Sequence, residues 1–113
     1  MTTITELVER ASKQAEHAGF HDEDITNPTV FASKLALIHS EVSEALEEVR
    51  AGQPLTRVYQ SDAGKPEGVP TELADIVIRV ADLAGWLGID LEDVIRKKLA
   101  YNATRAHKHG KAL

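Results

Sequence analysis

Apolar residues recur along this 113-residue chain with helical rather than strand spacing. Ile4, Leu7, Val8, Ala11, Ala15 and Ala18 share one face if residues 5–18 form a helix. Thr3 and Glu6 are spaced as a capping box, and Gly19 is placed as a stop. A polar, irregular stretch, GFHDEDITN, follows. Asn27 then caps a second predicted helix, with Pro28 in its first turn and Gly52 and Pro54 beyond its end near Arg50. Its apolar stripe is Leu35, Ile38, Val42, Ala45, Leu46 and Val49. The third predicted helix begins around Pro70-Thr71 and ends near Leu87, before Gly88. Its stripe is Leu73, Ile76, Val77, Val80, Leu83, Ala84 and Leu87. The fourth starts at Asp90, with Asp93 in the acidic capping-box position, and runs to about Ala106.

Residues 52–69 show no clear period and are rich in glycine and proline. Loops this long in a small domain are often functional or disordered. The only strand suggested lies around Arg57 to Tyr59. A basic tail, residues 107–113, is expected to fray. The pattern as a whole predicts one domain over 1–113, an all-α four-helix bundle.

Composition narrows the function. Only 4% of residues are aromatic against 42% hydrophobic, so the core must be aliphatic. A net charge of −5 argues against a broad basic surface for duplex nucleic acid. The absence of cysteine excludes disulfides, zinc–thiolate sites and thiol nucleophiles. No apolar run reaches signal-peptide or membrane-spanning length, so a cytoplasmic location without a membrane partner is expected. The sequon at Asn102 then carries no meaning, since glycosylation needs a secretory route.

Two short stretches stand apart, HSEVSEALEE at 39–48 and TELADIVI at 71–78. Each plants two carboxylates three residues apart, Glu41/Glu44 and Glu72/Asp75. The stripes of the second and third helices match at an offset of 31 residues, and the same offset carries Glu41 onto Glu72 and Glu44 onto Asp75. At 100° per residue, Glu41 lies about 90° from the stripe centre, with Glu44 further round on the same side. Antiparallel packing brings the four carboxylates to one edge of the seam. Converging carboxylates raise one another's pKa unless a cation joins them, and hard oxygen ligands favour Mg²⁺ or Mn²⁺. The alternative is an acidic face that is simply solvated. A di-iron bundle is disfavoured because no histidine lies three residues after a Glu or Asp.

The stripe of the fourth helix turns polar. From Leu91, Val94 and Ile95 it arrives at Lys98, Asn102 and Arg105, with Tyr101 flanking. One reading is a helix end emerging into water, its basic residues answering the dipole. The other is a set of donors for phosphate oxygens, Lys98 as a point charge and Arg105 as a fork. Metal ligands and phosphate donors together fit phosphoryl or pyrophosphoryl chemistry without a P-loop.

The two acidic motifs, EVSE at 41–44 and ELAD at 72–75 with 27 residues between them, joined to LGIDLEDVIRKKLAYNATR, resemble the MazG-like nucleotide pyrophosphohydrolases of the all-α NTP pyrophosphatase superfamily. The match covers about residues 35–110. The resemblance implies Mg²⁺ held by Glu41, Glu44, Glu72 and Asp75, and cleavage of a nucleoside triphosphate between its α and β phosphates. It implies that Lys98, Asn102 and Arg105, with Tyr101 beside them, hold phosphates or sugar. It further implies a homodimer or homotetramer whose chains complete the bundle. One departure is Ser40, where many members carry an extra glutamate before the first motif. The role of that glutamate would then pass to Glu41, Glu48 or His39. Trp86 is expected at a subunit contact rather than on a base. Phosphoribosyl-ATP pyrophosphohydrolase is the neighbouring activity, and a non-catalytic helical module the alternative of another class.

Overall fold

The computed structural model describes residues 2–105. The tail at 107–113 and Ala106 lie outside the described residues; the last helix, expected to run to about Ala106, already ends at Asn102, with 103–105 in a turn. The chain forms helices α1 (Ile4–His17), α2 (Pro28–Arg50), α3 (Val69–Leu87) and α4 (Leu91–Asn102). Between α2 and α3, strands β1 (Tyr59–Gln60) and β2 (Pro66–Glu67) pair antiparallel, Tyr59 opposite Glu67. The architecture is an all-α bundle bearing one small hairpin.

The helix starts follow side-chain chemistry. Thr3 Oγ1 accepts from the Glu6 amide at 3.1 Å, Asn27 Oδ1 from Thr29 at 2.9 Å, and Asp90 Oδ1 from Asp93 at 3.1 Å. At the far end of α1, Gly19 at φ 88° lets its own amide reach Glu16 O at 3.0 Å while Phe20 N reaches Ala15 O at 2.9 Å. That closure fixes the backbone at Phe20. The start of α3 uses no side-chain cap. There Gly68 has φ 111°, and a Cβ would sit 2.2 Å from the Arg57 carbonyl oxygen, so glycine alone fits.

Helix α3 is the hub, packed on α1 and on α2, while α4 lies against α1. Val8 and Ala11 of α1 meet Ala81 and Ala84 of α3, with Ile4, Leu7 and Leu91 at the edge. These are small residues, and they let the two helices come close. A Cβ added at Gly85 would stand 2.7 Å from Ser12 Cβ. The core therefore sits between α1 and α3 and takes in Ala84 of the stripe read for α3, where Leu83 is buried too, but not the rest of the stripes read for α2 and α3. Leu35, Val42, Leu46, Val49, Leu73, Val77 and Val80 remain between 36% and 55% exposed. The reason is geometric. One face of α3 is spent on α1, the α2–α3 contact buries Glu41 instead, and the two aliphatic rows are left open.

Candidate metal centre and adjoining cavity

Glu41 is the buried residue of α2, and the only charged side chain among the described residues in the buried class. Across the seam, Arg79 Nε donates to Glu41 Oε1 at 2.6 Å. Burying a carboxylate is costly unless it is paired, and the guanidinium answers that cost. Glu72 enters from the first turn of α3 and Asp75 from the next turn, both half-buried. Each of Glu41, Glu72 and Asp75 offers a carboxylate oxygen, and the three lie within 4.8 Å of one another.

The electrostatics of this triad are unresolved within the chain. Glu72 Oε2 is buried and has no hydrogen-bond partner. Burial, then the charges of Glu44 and Asp75, pushes the Glu72 carboxyl above the usual range. A buried acceptor without a donor, amid like charges, is the arrangement a hard cation relieves, and three carboxylate oxygens suit one. The residues present therefore fit a divalent ion.

Glu44 is exposed and close enough to Glu72 to perturb it, but it stands outside the three-oxygen cluster. His39, also on α2, is exposed and belongs neither to the cluster nor to the cavity beside it. The four candidates near the C-terminal end of α4 form a separate group. Lys98 Nζ lies 5.0 Å and Arg105 Cζ 5.6 Å from the centre of the Tyr101 ring. Asn102 Oδ1 is buried and unpartnered. Because α4 packs on α1 rather than on α2, Lys98, Tyr101, Asn102 and Arg105 do not join the carboxylates within one chain. Glu48 is engaged elsewhere. Tyr59 donates to its two oxygens at 3.0 and 3.1 Å, tying the hairpin to α2, and burial followed by that carboxylate raises the tyrosine pKa.

A cavity of about 450 Å³ adjoins the cluster. Glu41 and Asp75 line it, with Phe20, Leu37, Ile78 and Asp82. Sequence reasoning did not assemble this wall, because Phe20 comes from the irregular stretch after α1. Its sequence signal was Gly19, which sets the turn. At the same wall, His21 Nε2 donates to Asp82 Oδ1 at 2.6 Å and its ring stacks on Trp86, 4.2 Å away and 8° from parallel. Lys34 Nζ, held by Glu23 at 2.8 Å, lies 5.5 Å from the Trp86 ring centre. Trp86, expected at a subunit contact, thus has partners within its own chain.

Among known proteins, a dATP/dGTP diphosphohydrolase of Cyanophage S-2L is 49% identical over 37 residues, which is 33% of this chain and 35% of the relative. The likeness spans about a third of either protein. No family model and no solved structure matches the chain. Among the described residues, no helix is long and apolar enough to cross a membrane.

Proposed function

We propose that the protein is a divalent-metal-dependent nucleoside triphosphate pyrophosphohydrolase, releasing a nucleoside monophosphate and pyrophosphate. The observation that carries this reading is the meeting of Glu41, Glu72 and Asp75 from two helices around an unpartnered buried oxygen. The short likeness to a diphosphohydrolase named for dATP and dGTP supports the same class of anhydride and a purine deoxynucleotide as substrate. Glu41, Glu72 and Asp75 would hold the ion, with Glu44 beside them, and magnesium is the metal we assign. When bound, the metal supplies Lewis acidity and positive charge to the triphosphate.

The chain's own side chains then divide the remaining work. Glu41 is engaged by Arg79, and Glu48 by Tyr59. Glu44, exposed and next to Glu72, is the carboxylate left to take the proton of the attacking water. Arg79 has 44% of its side chain exposed and lines the cavity. It is therefore free to turn from Glu41 toward a phosphate oxygen once the cation is bound.

The open aliphatic rows of α2 and α3 call for a second copy of the chain, since monomers rarely leave such faces to water. In that assembly Lys98, Tyr101, Asn102 and Arg105 would serve the partner's triphosphate rather than their own.

A panel of nucleoside triphosphates incubated with Mg²⁺, assayed for pyrophosphate against orthophosphate, tests the reading. Pyrophosphate in step with monophosphate is expected. Orthophosphate as the primary product would reject cleavage between α and β. No turnover on any member, with Mg²⁺ binding unchanged by Glu72→Gln, would leave a non-catalytic helical module.

A further inference from the structure

The cavity is more than a margin of the metal centre. Its volume of about 450 Å³ is in the range of small-molecule sites, and its walls mix aliphatic and aromatic groups with acidic ones and with the basic Lys34 and Arg79. Asp75 and Asp82 lie on one face of α3, two turns apart. Seven residues at helical rise separate them by about 10.5 Å along the axis. That is the span from the α-phosphate of a nucleotide to the far edge of its base. A phosphate held through a cation at Asp75 would therefore allow the base to reach Asp82.

Asp82 is prepared for such a contact. The His21 ring nitrogen donates to Oδ1, and stacking on Trp86 holds that imidazole flat. Among the described residues the other oxygen, Oδ2, accepts no hydrogen bond and is not buried. A carboxylate only accepts, so a base that meets it must present N–H groups. Trp86 is not the ring on which a base stacks, since His21 covers one of its faces. Phe20 is the free ring. It is 67% exposed, lines the cavity and is fixed in place by the turn at Gly19.

Resting on the pyrophosphohydrolase reading, we propose that this cavity takes the base of the nucleotide and that Asp82 makes it selective for guanine. Guanine alone among the common bases sets a ring N–H beside an exocyclic amino group, two donors for one carboxylate. Adenine and cytosine place a ring acceptor next to the amino group, which a carboxylate repels. Thymine and uracil flank their single N–H with carbonyl oxygens. Phe20 supplies stacking that is indifferent to the base.

The test is calorimetric titration of the full chain in Mg²⁺ with dGMP, dAMP, dCMP, dTMP and dXMP, before and after Asp82→Asn. The wild type should bind dGMP about tenfold or more tightly than the others. Asp82→Asn should lose that preference and gain dXMP, because an amide N–H meets the xanthine 2-carbonyl that a carboxylate repels. A gain for one ligand is not something misfolding produces. Phe20→Ala should weaken all five together. Equal binding of the bases by the wild type, or loss of dGMP in Asp82→Asn without gain of dXMP, overturns the inference. The binding assay needs no turnover, so it fails or succeeds apart from the triphosphate panel. Cleavage with no base preference sinks only the role of Asp82, and a guanine-selective chain that cleaves nothing sinks only the hydrolase.

Discussion

Leu46 offers the sharpest test of how the chain completes its core. It stands on α2 with 55% of its surface exposed, in the row that α3 leaves uncovered. Fully burying a leucine side chain stabilises by about 1.5–3 kcal/mol, so covering the open half is worth about 1 kcal/mol. A two-fold interface uses the residue twice, which makes Leu46→Ala a loss of about 2 kcal/mol, roughly thirtyfold in the dimer dissociation constant. Leu46→Asp adds the cost of taking two carboxylates out of water, several kcal/mol more. That variant should be monomeric at tens of micromolar, by about the same margin of helix content as the wild type. Sedimentation equilibrium with far-UV circular dichroism measures both quantities. A wild type that sediments as a monomer at that concentration, or a Leu46→Asp chain that still associates, refutes the reasoning.

The acidic cluster and the loop supply the other expectations. Glu72 in the folded chain holds its proton more tightly than in the unfolded chain. Without metal, stability should therefore fall as pH rises from the unfolded value through the raised folded one, and should level off above it. Thermal melts in chelator across pH 4–8 follow this, and Glu72→Gln should flatten the curve and raise the neutral-pH melting point while weakening Mg²⁺ binding. Arg79→Gln strips the buried Glu41 of its partner, so the melting point should drop in chelator and recover with Mg²⁺. Tyr59→Phe removes one bifurcated hydrogen bond to a carboxylate and should cost about 1–2 kcal/mol in chemical denaturation without changing Mg²⁺ affinity. Gly68→Ala drives a Cβ into the Arg57 carbonyl and should cost about 2 kcal/mol or more by the same assay.

Local chemistry was legible in the sequence. Asn27-Pro28, Asp90 and Gly88 mark helix ends because caps and stops act within a turn. The i, i+3 spacing of Glu41/Glu44 and of Glu72/Asp75 is also local, but which of the four meet is set by the α2–α3 packing, which buries Glu41 and leaves Glu44 outside the cluster. Choices between distant elements were not legible. Periodicity says that α3 has apolar faces but not which one α1 will take, so Val77 and Leu73 read as core and stand in water. Helix α4 reads as a neighbour of the carboxylates, yet its short link at Gly88 turns it onto α1. The pairing of Arg79 with Glu41 rather than with Asp75 or Asp82 depends on the α2–α3 register. The wall of Phe20, His21 and Asp82 depends on how an irregular stretch folds back over α3.

The glycine at the head of α3 ties two parts of the molecule that evolution could otherwise adjust separately. The Arg57 carbonyl occupies the space a Cβ would need, the glycine's own carbonyl receives the Glu72 amide at 3.0 Å, and Thr71 Oγ1 bonds back to Glu67 O at 3.2 Å. Surface connections usually tolerate insertions. Here, lengthening the segment before Gly68 would drag the first turn of α3 with it, and the carboxylate of Glu72 would leave register with those of Glu41 and Asp75. The hairpin is thus a gauge for the spacing of these three carboxylates, and its length constrains where they can meet.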